Sequence, residues 1–130
     1  MIASILKTLS DINRLRVLNL LNKREMCVCE IEYITEINQS NLSRHLKNMT
    51  NIGLLINWKE NKFSYYRINE KFINQNPFIR EIMVRLSEEE IIQEDEKKYG
   101  EYITENIPCE CISDLLLERR FLKKKEGQTK

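Results

Sequence analysis

The segment from Gln39 to Met49 constrains the fold more than any other part of the chain. Leu42, Leu46 and Met49 recur at the spacing of one helical face, so the segment predicts an amphipathic helix with a buried stripe. The other face carries hydrogen-bond donors and positive charge but no carboxylate, in Gln39, Ser40, Asn41, Ser43, Arg44, His45 and Lys47. Such side chains pair with phosphates and base edges. The face therefore predicts a DNA recognition helix, the alternative being an ordinary solvated helix face.

The residues before this segment have the arrangement of a helix-turn-helix. Residues 12–21 predict one helix, with Arg14 and Arg16 expected on its outer, solvated side. A further helix starts at Cys27, and residues 35–38 form the turn that leads into the recognition helix. A helix, a short turn and a donor-rich second helix are the helix-turn-helix pattern, although many helical hairpins share it.

A β-hairpin is predicted immediately after the recognition helix. Gly53 is well placed to end that helix, and residues 54–59 and 63–68 are strand-like runs. Asn61, between them, tolerates the left-handed conformation that a tight turn often requires. A hairpin in this position makes a winged helix. Its cations, Lys59 and Lys62 near the tip and Arg67 further back, could reach backbone phosphate or be solvated only.

Charge divides the chain into a basic front and an acidic rear. Residues 1–80 carry 12 Lys and Arg against 7 Asp and Glu, whereas residues 81–130 carry 9 against 13. This asymmetry suggests that only the front meets nucleic acid, and the acidic stretch from Glu88 to Glu96 is expected to be solvated. A first helix is predicted from Ile2 to Leu9, before that of residues 12–21. A helix after Pro77 has an apolar stripe that this first helix and a second subunit could cover.

The expected fold class is therefore mainly α, a winged helix-turn-helix with a β-hairpin wing and a C-terminal dimerisation helix. Residues 1–98 would form the DNA-binding and dimerisation domain, and residues 99–130 a tail that carries a Cys pair. With no signal peptide and no apolar run long enough to cross a membrane, the protein is expected to be cytoplasmic. Four cysteines in a reducing compartment favour ligands or sensors over disulfides.

Several stretches together resemble the ArsR/SmtB family of metal-responsive winged-helix repressors, over roughly residues 5–68. They are Leu9-Ser10-Asp11-Ile12-Asn13-Arg14-Leu15-Arg16-Val17-Leu18, Cys27-Val28-Cys29-Glu30, Leu42-Ser43-Arg44-His45-Leu46-Lys47, Gly53-Leu54-Leu55 and Tyr65-Tyr66-Arg67-Ile68. Ile12 and Asn61 stand where the family often has Pro and Gly. The resemblance implies a homodimer that represses transcription from operator DNA near its own gene and that an inducer ion releases.

The cysteines resemble the ligands of the arsenic-sensing members. Cys27-Val28-Cys29 looks like their binding motif, but Glu32 stands where a third Cys often follows, which leaves Cys109 and Cys111 as the other thiols. Residues i and i+2 of a helix point about 200° apart. Either the first turn is not helical at Cys27, or binding unwinds it. After Pro108, extended chain is expected, in which Cys109 and Cys111 would share a face.

The identity of the inducer stays open at this point. By resemblance, arsenite or antimonite, As(III) or Sb(III), would take three sulfurs, whereas four thiolates suit a tetrahedral divalent ion such as Cd(II), Zn(II) or Pb(II). Chelation at the start of the third helix would move the element that supports the recognition helix. The alternatives are a thiol redox sensor of the same fold and an enzyme such as a thiol reductase. The latter is disfavoured because Cys-x-x-Cys and a phosphate-binding Gly loop are absent, and His45 lies on the predicted DNA-facing helix.

Overall fold

The computed structural model describes residues 1–107 and 109–128, apart from the side chains of residues 109–111, 113 and 123–128. The described chain is mostly helical, with one three-stranded antiparallel sheet in the order β1-β3-β2. The elements are α1 (Ile2–Leu9), α2 (Ile12–Leu21), β1 (Met26–Cys27), α3 (Val28–Thr35), α4 (Gln39–Asn51), β2 (Leu55–Glu60), β3 (Phe63–Ile68), α5 (Glu70–Gln75), α6 (Phe78–Arg85), a 3₁₀ turn (Leu86–Glu88), α7 (Glu90–Glu105) and α8 (Cys109–Gln128).

The helix-turn-helix is formed by α3 and α4, as predicted. Asn38 begins α4 by accepting a hydrogen bond from the Asn41 amide at 2.9 Å, an N-cap of the common kind. Leu42, Leu46 and Met49 are fully buried, which confirms the predicted stripe. The helix then ends in a Schellman motif, in which Gly53 adopts φ +98°.

The wing is also confirmed. Strands β2 and β3 pair from Leu55 with Ile68 to Glu60 with Phe63, so the turn is two residues long. Its first residue, Asn61, has φ +59°, the left-handed conformation expected for it. The prediction missed β1, whose two residues pair with Tyr65 and Tyr66 of β3 and bring the start of α3 to the base of the wing.

The main core extends from α1 to the C-terminal helix without a break near residue 98. Helix α7 runs through that position, and Ile112 and Leu116 of α8 are buried in the same cluster as the core of the winged helix. The division at residues 98 and 99 therefore does not coincide with a structural boundary. Within the described residues, none of the helices is long and apolar enough to cross a bilayer.

Two charged residues that were expected to be solvated are buried against each other. Arg16 is 8% exposed and Asp95 is fully buried. The guanidinium donates to both carboxylate oxygens, at 2.8 and 3.0 Å, and to the carbonyl of Thr35 at 2.7 Å. The outward placement of Arg16 and the solvated placement of Asp95 were wrong, because helical spacing gives no sign of a charged partner on another helix.

Candidate DNA-binding and thiol sites

The polar face of α4 lies on the surface. Gln39, Ser40, Ser43, Arg44 and Lys47 are exposed, and Asn41 is half-buried. Within this face the guanidinium of Arg44 donates to the side-chain oxygen of Asn41 at 3.2 Å, which holds the two polar side chains together about one turn apart. The buried stripe on the opposite side of α4 fixes the orientation of this face. The helix therefore presents a row of donors and cations without a carboxylate, as the sequence indicated.

His45 does not belong to that surface. It is only 3% exposed, its Nδ1 accepts a hydrogen bond from Nε of Arg14 at 3.1 Å, and its Nε2 lies 4.0 Å from a carboxylate oxygen of Asp11. Burial lowers the pKa of His45, and although the Asp11 carboxylate acts in the opposite direction, Arg14 adds to the effect of burial and the pKa lies below its ordinary value. The placement of His45 on the DNA-facing surface was wrong, because its imidazole is buried and joins α4 to the start of α2.

The wing cations Lys59, Lys62 and Arg67 are exposed. Of these, Lys62 borders a cavity of about 610 Å³ that Gln39 and Ser43 of the recognition helix also line. The wing tip and the first turns of α4 thus face the same cavity. The same cavity is bordered by Cys27 and Cys29 on one side and by Arg120 of α8 on another.

Cys27 and Cys29 are brought together because Cys27 precedes the helix. Its backbone is extended, with φ −83° and ψ 161°, and it serves both as a residue of β1 and as the N-cap of α3. The two Sγ atoms lie 2.6 Å apart. Of the two possibilities that helical geometry left, the structure has the first, since the first turn is not helical at Cys27. The hydrogen bond between the sulfurs, together with burial, raises the pKa of the Cys27 thiol well above its ordinary value.

Glu30 connects this thiol pair to the rest of the fold. Its carboxylate is 5% exposed and accepts from the Cys27 amide at 3.1 Å, from Arg24 at 2.7 Å and from the hydroxyl of Tyr102 on α7 at 2.8 Å. Burial acts to raise the pKa of Glu30, but the hydrogen bonds outweigh it and the pKa lies below its ordinary value. Glu30 therefore remains a carboxylate beside the thiols.

The second cysteine pair lies at the start of α8. The backbone is helical from Cys109 onward, so the extended conformation predicted for Cys109 and Cys111 was wrong. Their side chains lie outside the described part of the structure. Among the described residues, no group of three or more His, Cys, Asp or Glu side chains is arranged to hold a metal ion. The described site thus supplies two sulfurs.

Helix α8 is fastened directly to α3. Arg120 donates to both carboxylate oxygens of Glu32 at 2.8 Å, and Arg119 donates to the Tyr33 carbonyl at 3.1 Å. Glu32, which stands where the family resemblance leads one to expect a third thiol, is 6% exposed and serves as this anchor. The tail that carries the second Cys pair is therefore packed against the helix that begins at the first pair.

Known proteins share both the fold and the sequence pattern. A model of the family described as "Bacterial regulatory protein, arsR family" matches residues 11–57. The chain is 36% identical over 78 residues to the arsenical resistance operon repressor of Staphylococcus xylosus, a match that covers 58% of this chain and 75% of that repressor. The chain belongs to the arsR family of bacterial regulatory proteins. This confirms the resemblance drawn from the sequence.

Two further matches extend the arsR-family assignment. The cadmium resistance transcriptional regulatory protein CadC of Listeria innocua is 33% identical over 90 residues, which is 68% of this chain and 72% of that protein. A homodimeric winged helix-turn-helix DNA-binding domain from Mycobacterium bovis, a possible ArsR-family transcriptional regulator, superimposes with a TM-score of 0.56. It is 27% identical and covers 65% of this chain and 80% of that domain.

Sequence reasoning missed the buried polar residues that surround the arsR-family motifs. Glu30 had a local signal, since a glutamate three residues after an N-cap position is the pattern of a capping box. Tyr102, Arg16 and Asp95 had none, because each acts through a partner more than 70 residues away in the sequence. These residues carry the connections between α3 and α7.

Proposed function

We propose that the chain is a DNA-binding transcriptional repressor that is released from its operator when a thiophilic ion is bound by cysteine sulfurs. The observation that carries the proposal is the thiol pair at the N-terminus of α3, where Cys27 and Cys29 lie with their sulfurs 2.6 Å apart. Two adjacent thiols are soft donors and fit a soft or borderline ion. Cys109 and Cys111 of the tail are the proposed further ligands.

The proposed DNA-contacting residues are those of the exposed faces of α4 and the wing. They are Gln39, Ser40, Asn41, Ser43, Arg44 and Lys47 on the helix, and Lys59, Lys62 and Arg67 on the wing. A winged helix places such a helix in the major groove, where side chains read base edges, while cations bind phosphate. The exposure of these side chains, and the cavity that Gln39, Ser43 and Lys62 share, support this arrangement.

The proposed assembly is a homodimer. Ile2 and Leu6 of α1 are 61% and 50% exposed, and Met1, which precedes the helix, is 77% exposed. Val84 of α6 is 72% exposed. Exposed apolar residues one helical turn apart, such as Ile2 and Leu6, are typical of a surface that a partner covers. The homodimeric domain from Mycobacterium bovis is consistent with a second copy as that partner.

The proposed inducer is arsenite or antimonite, with Cd(II), Zn(II) or Pb(II) as the alternative. The similarity to an arsenical resistance operon repressor favours the former, and the similarity to CadC favours the latter. A bound ion would supply bonds to deprotonated sulfurs, so Cys27 must first lose its proton. Rearrangement of Cys27 changes the backbone at the start of α3, and α3 supports α4 through the turn at residues 36–38.

A titration of the reduced protein with arsenite, Cd²⁺ and Zn²⁺ tests the proposal. The DNA is a labelled duplex from upstream of the protein's own gene, and anisotropy reports binding. We expect the ion-free protein to bind and arsenite to release it. Release by Cd²⁺ or Zn²⁺ only would select the divalent alternative. Binding that no ion reverses would contradict the proposed ion response, and no binding at all would contradict the proposed DNA-binding activity.

A redox response is the second candidate, and the closeness of the two sulfurs favours it as well. Oxidation joins the two sulfurs in a disulfide, and the two protons and two electrons that the thiols give up reduce hydrogen peroxide to two molecules of water. Release of DNA by peroxide in the absence of any ion, reversed by a reducing agent, would support this candidate over the ion-responsive one.

A further inference from the structure

A short chain of buried hydrogen bonds leads from the thiol pair to α7. The Cys27 amide donates to Oε1 of Glu30 at 3.1 Å, and the Tyr102 hydroxyl donates to Oε2 at 2.8 Å. Glu30 and Tyr102 are 5% and 6% exposed, so water does not readily replace either partner. The backbone of a proposed ion ligand is thus two hydrogen bonds away from a neighbouring helix.

The first of these bonds depends on the conformation of Cys27. The amide reaches Glu30 because Cys27 is extended and caps α3. A change in the Cys27 backbone that brings its sulfur into a new position would lengthen this bond. Glu30 would then shift toward its other partners, Arg24 and Tyr102, since a buried carboxylate keeps the hydrogen bonds that it can.

Helix α7 also contacts the end of α3 that leads into the recognition helix, through Asp95 and Arg16. Asp95 lies seven residues, or about 10 Å, before Tyr102 on this helix. It holds Arg16, which donates to the Thr35 carbonyl at the last residue of α3. A shift of α7 at Tyr102 therefore acts on the residue that directly precedes the turn into α4.

We propose that Tyr102 is a positioning residue that couples the thiol pair to DNA binding through its hydrogen bond to Glu30. Tyr102 contacts neither DNA nor the ion. Its hydroxyl makes the position of α7 depend on the state of Cys27. The inference rests on the ion-responsive repressor proposed above, whose site it extends by one regulatory residue.

Tyr102→Phe tests this role because it removes only the hydroxyl. The quantity to measure is the coupling factor, the ratio of the dissociation constants for DNA with and without saturating arsenite. A typical coupling factor is on the order of 5–150. We expect Tyr102→Phe to bring it below about 2, while the ion-free protein keeps its DNA affinity within about threefold of wild type.

Tyr33→Phe is the matched control. Tyr33 also joins α3 to α7, through a hydrogen bond from its hydroxyl to Glu105 at 3.2 Å, but that bond touches neither Glu30 nor the Cys27 amide. The control should retain the wild-type coupling factor. Because coupling is reciprocal, DNA should also weaken arsenite binding by the same factor in wild type and Tyr33→Phe, but not in Tyr102→Phe.

An unchanged coupling factor in Tyr102→Phe, with wild type still released by arsenite, would overturn this inference and leave the proposed function intact. A loss of ion-free DNA binding in the variant would overturn it too, because Tyr102 would then be needed for the DNA-binding state itself. If arsenite does not release wild type from DNA, the proposed function itself is contradicted.

Amide hydrogen exchange on wild type gives an independent measurement. Arsenite should accelerate exchange in residues 99–105, and unchanged exchange there would contradict the proposal.

Discussion

The two ends of α3 are both tied to α7, but by contacts of different kinds. At the C-terminal end, Arg16 joins the Thr35 carbonyl to Asp95 through a buried ion pair with two hydrogen bonds. At the N-terminal end, Glu30 accepts hydrogen bonds from the neutral hydroxyl of Tyr102 and from the amide of Cys27. The sulfur of Cys27 in turn contacts that of Cys29, which is partly exposed.

This difference indicates which end can move. An ion pair in which both partners are buried cannot be opened without leaving a charge uncompensated. A hydroxyl hydrogen bond is weaker and can be remade with another geometry. We infer that the C-terminal end of α3 is fixed to α7 and that the N-terminal end is adjustable. A shift of α7 that begins at the thiols is then passed by the ion pair to Thr35 and the turn into α4.

The largest expected effect is at the fixed end. Asp95→Ala leaves the guanidinium of Arg16 buried without its carboxylate, and we expect a loss of about 3–5 kcal/mol in the free energy of unfolding, measured with urea. Glu101→Ala, at an exposed position of the same helix, should change it by less than about 0.5 kcal/mol. A loss in Asp95→Ala no greater than that of the control would show that the C-terminal end is not an anchor.

The second effect concerns α4, the helix that follows the anchored end of α3. Arg44→Ala should weaken DNA binding by about 1–3 kcal/mol, because it removes an exposed cation from the face proposed to enter the groove. Arg80→Ala removes an exposed arginine on α6 and should leave the affinity unchanged. An anisotropy titration that finds equal affinities for the two variants would move the DNA interface away from α4.

How far the sequence predicts this molecule depends on the range of each interaction. The stripe of α4, the glycine at its end and the turn at Asn61 are all readable, because each depends on residues only a few positions apart. The contact that fixes the C-terminal end of α3 to α7 could not be predicted from the sequence. Arg16 and Asp95 are 79 residues apart, and each occupies a position that helical spacing alone assigns to solvent.

The site was predicted in part for the same reason. Cys27 and Cys29 could be singled out by their motif, and helical geometry indicated that a regular first turn would separate them. That Glu30 and Tyr102 lie behind them depends on how α7 packs against α3. His45 was misplaced because a histidine among donors looks like a DNA contact, whereas its partners lie on α2.

The smallest effect is a dependence of stability on pH. Burial lowers the pKa of His45 in the folded protein, so the unfolded chain binds its proton more readily. The stability that His45 contributes is therefore full above its ordinary pKa of about 6.5 and is lost as the pH falls below that value. His45 is the only histidine of the chain, so His45→Gln should make the free energy of unfolding depend less on pH between about pH 7.5 and 5.5. An equally steep dependence in the variant would exclude His45 as its source.

The central claim is that the adjustable end of α3 is the sensor, and arsenite-dependent DNA release by Cys27→Ser tests it most directly. Serine is close to cysteine in size and can still cap α3, so the ion-free variant should bind DNA within about threefold of wild type. Its coupling factor should fall to about 1, because a hydroxyl does not replace a thiolate toward a thiophilic ion. If arsenite released Cys27→Ser from DNA with the coupling factor of wild type, the claim would be contradicted, since the sensor would then lie elsewhere in the chain.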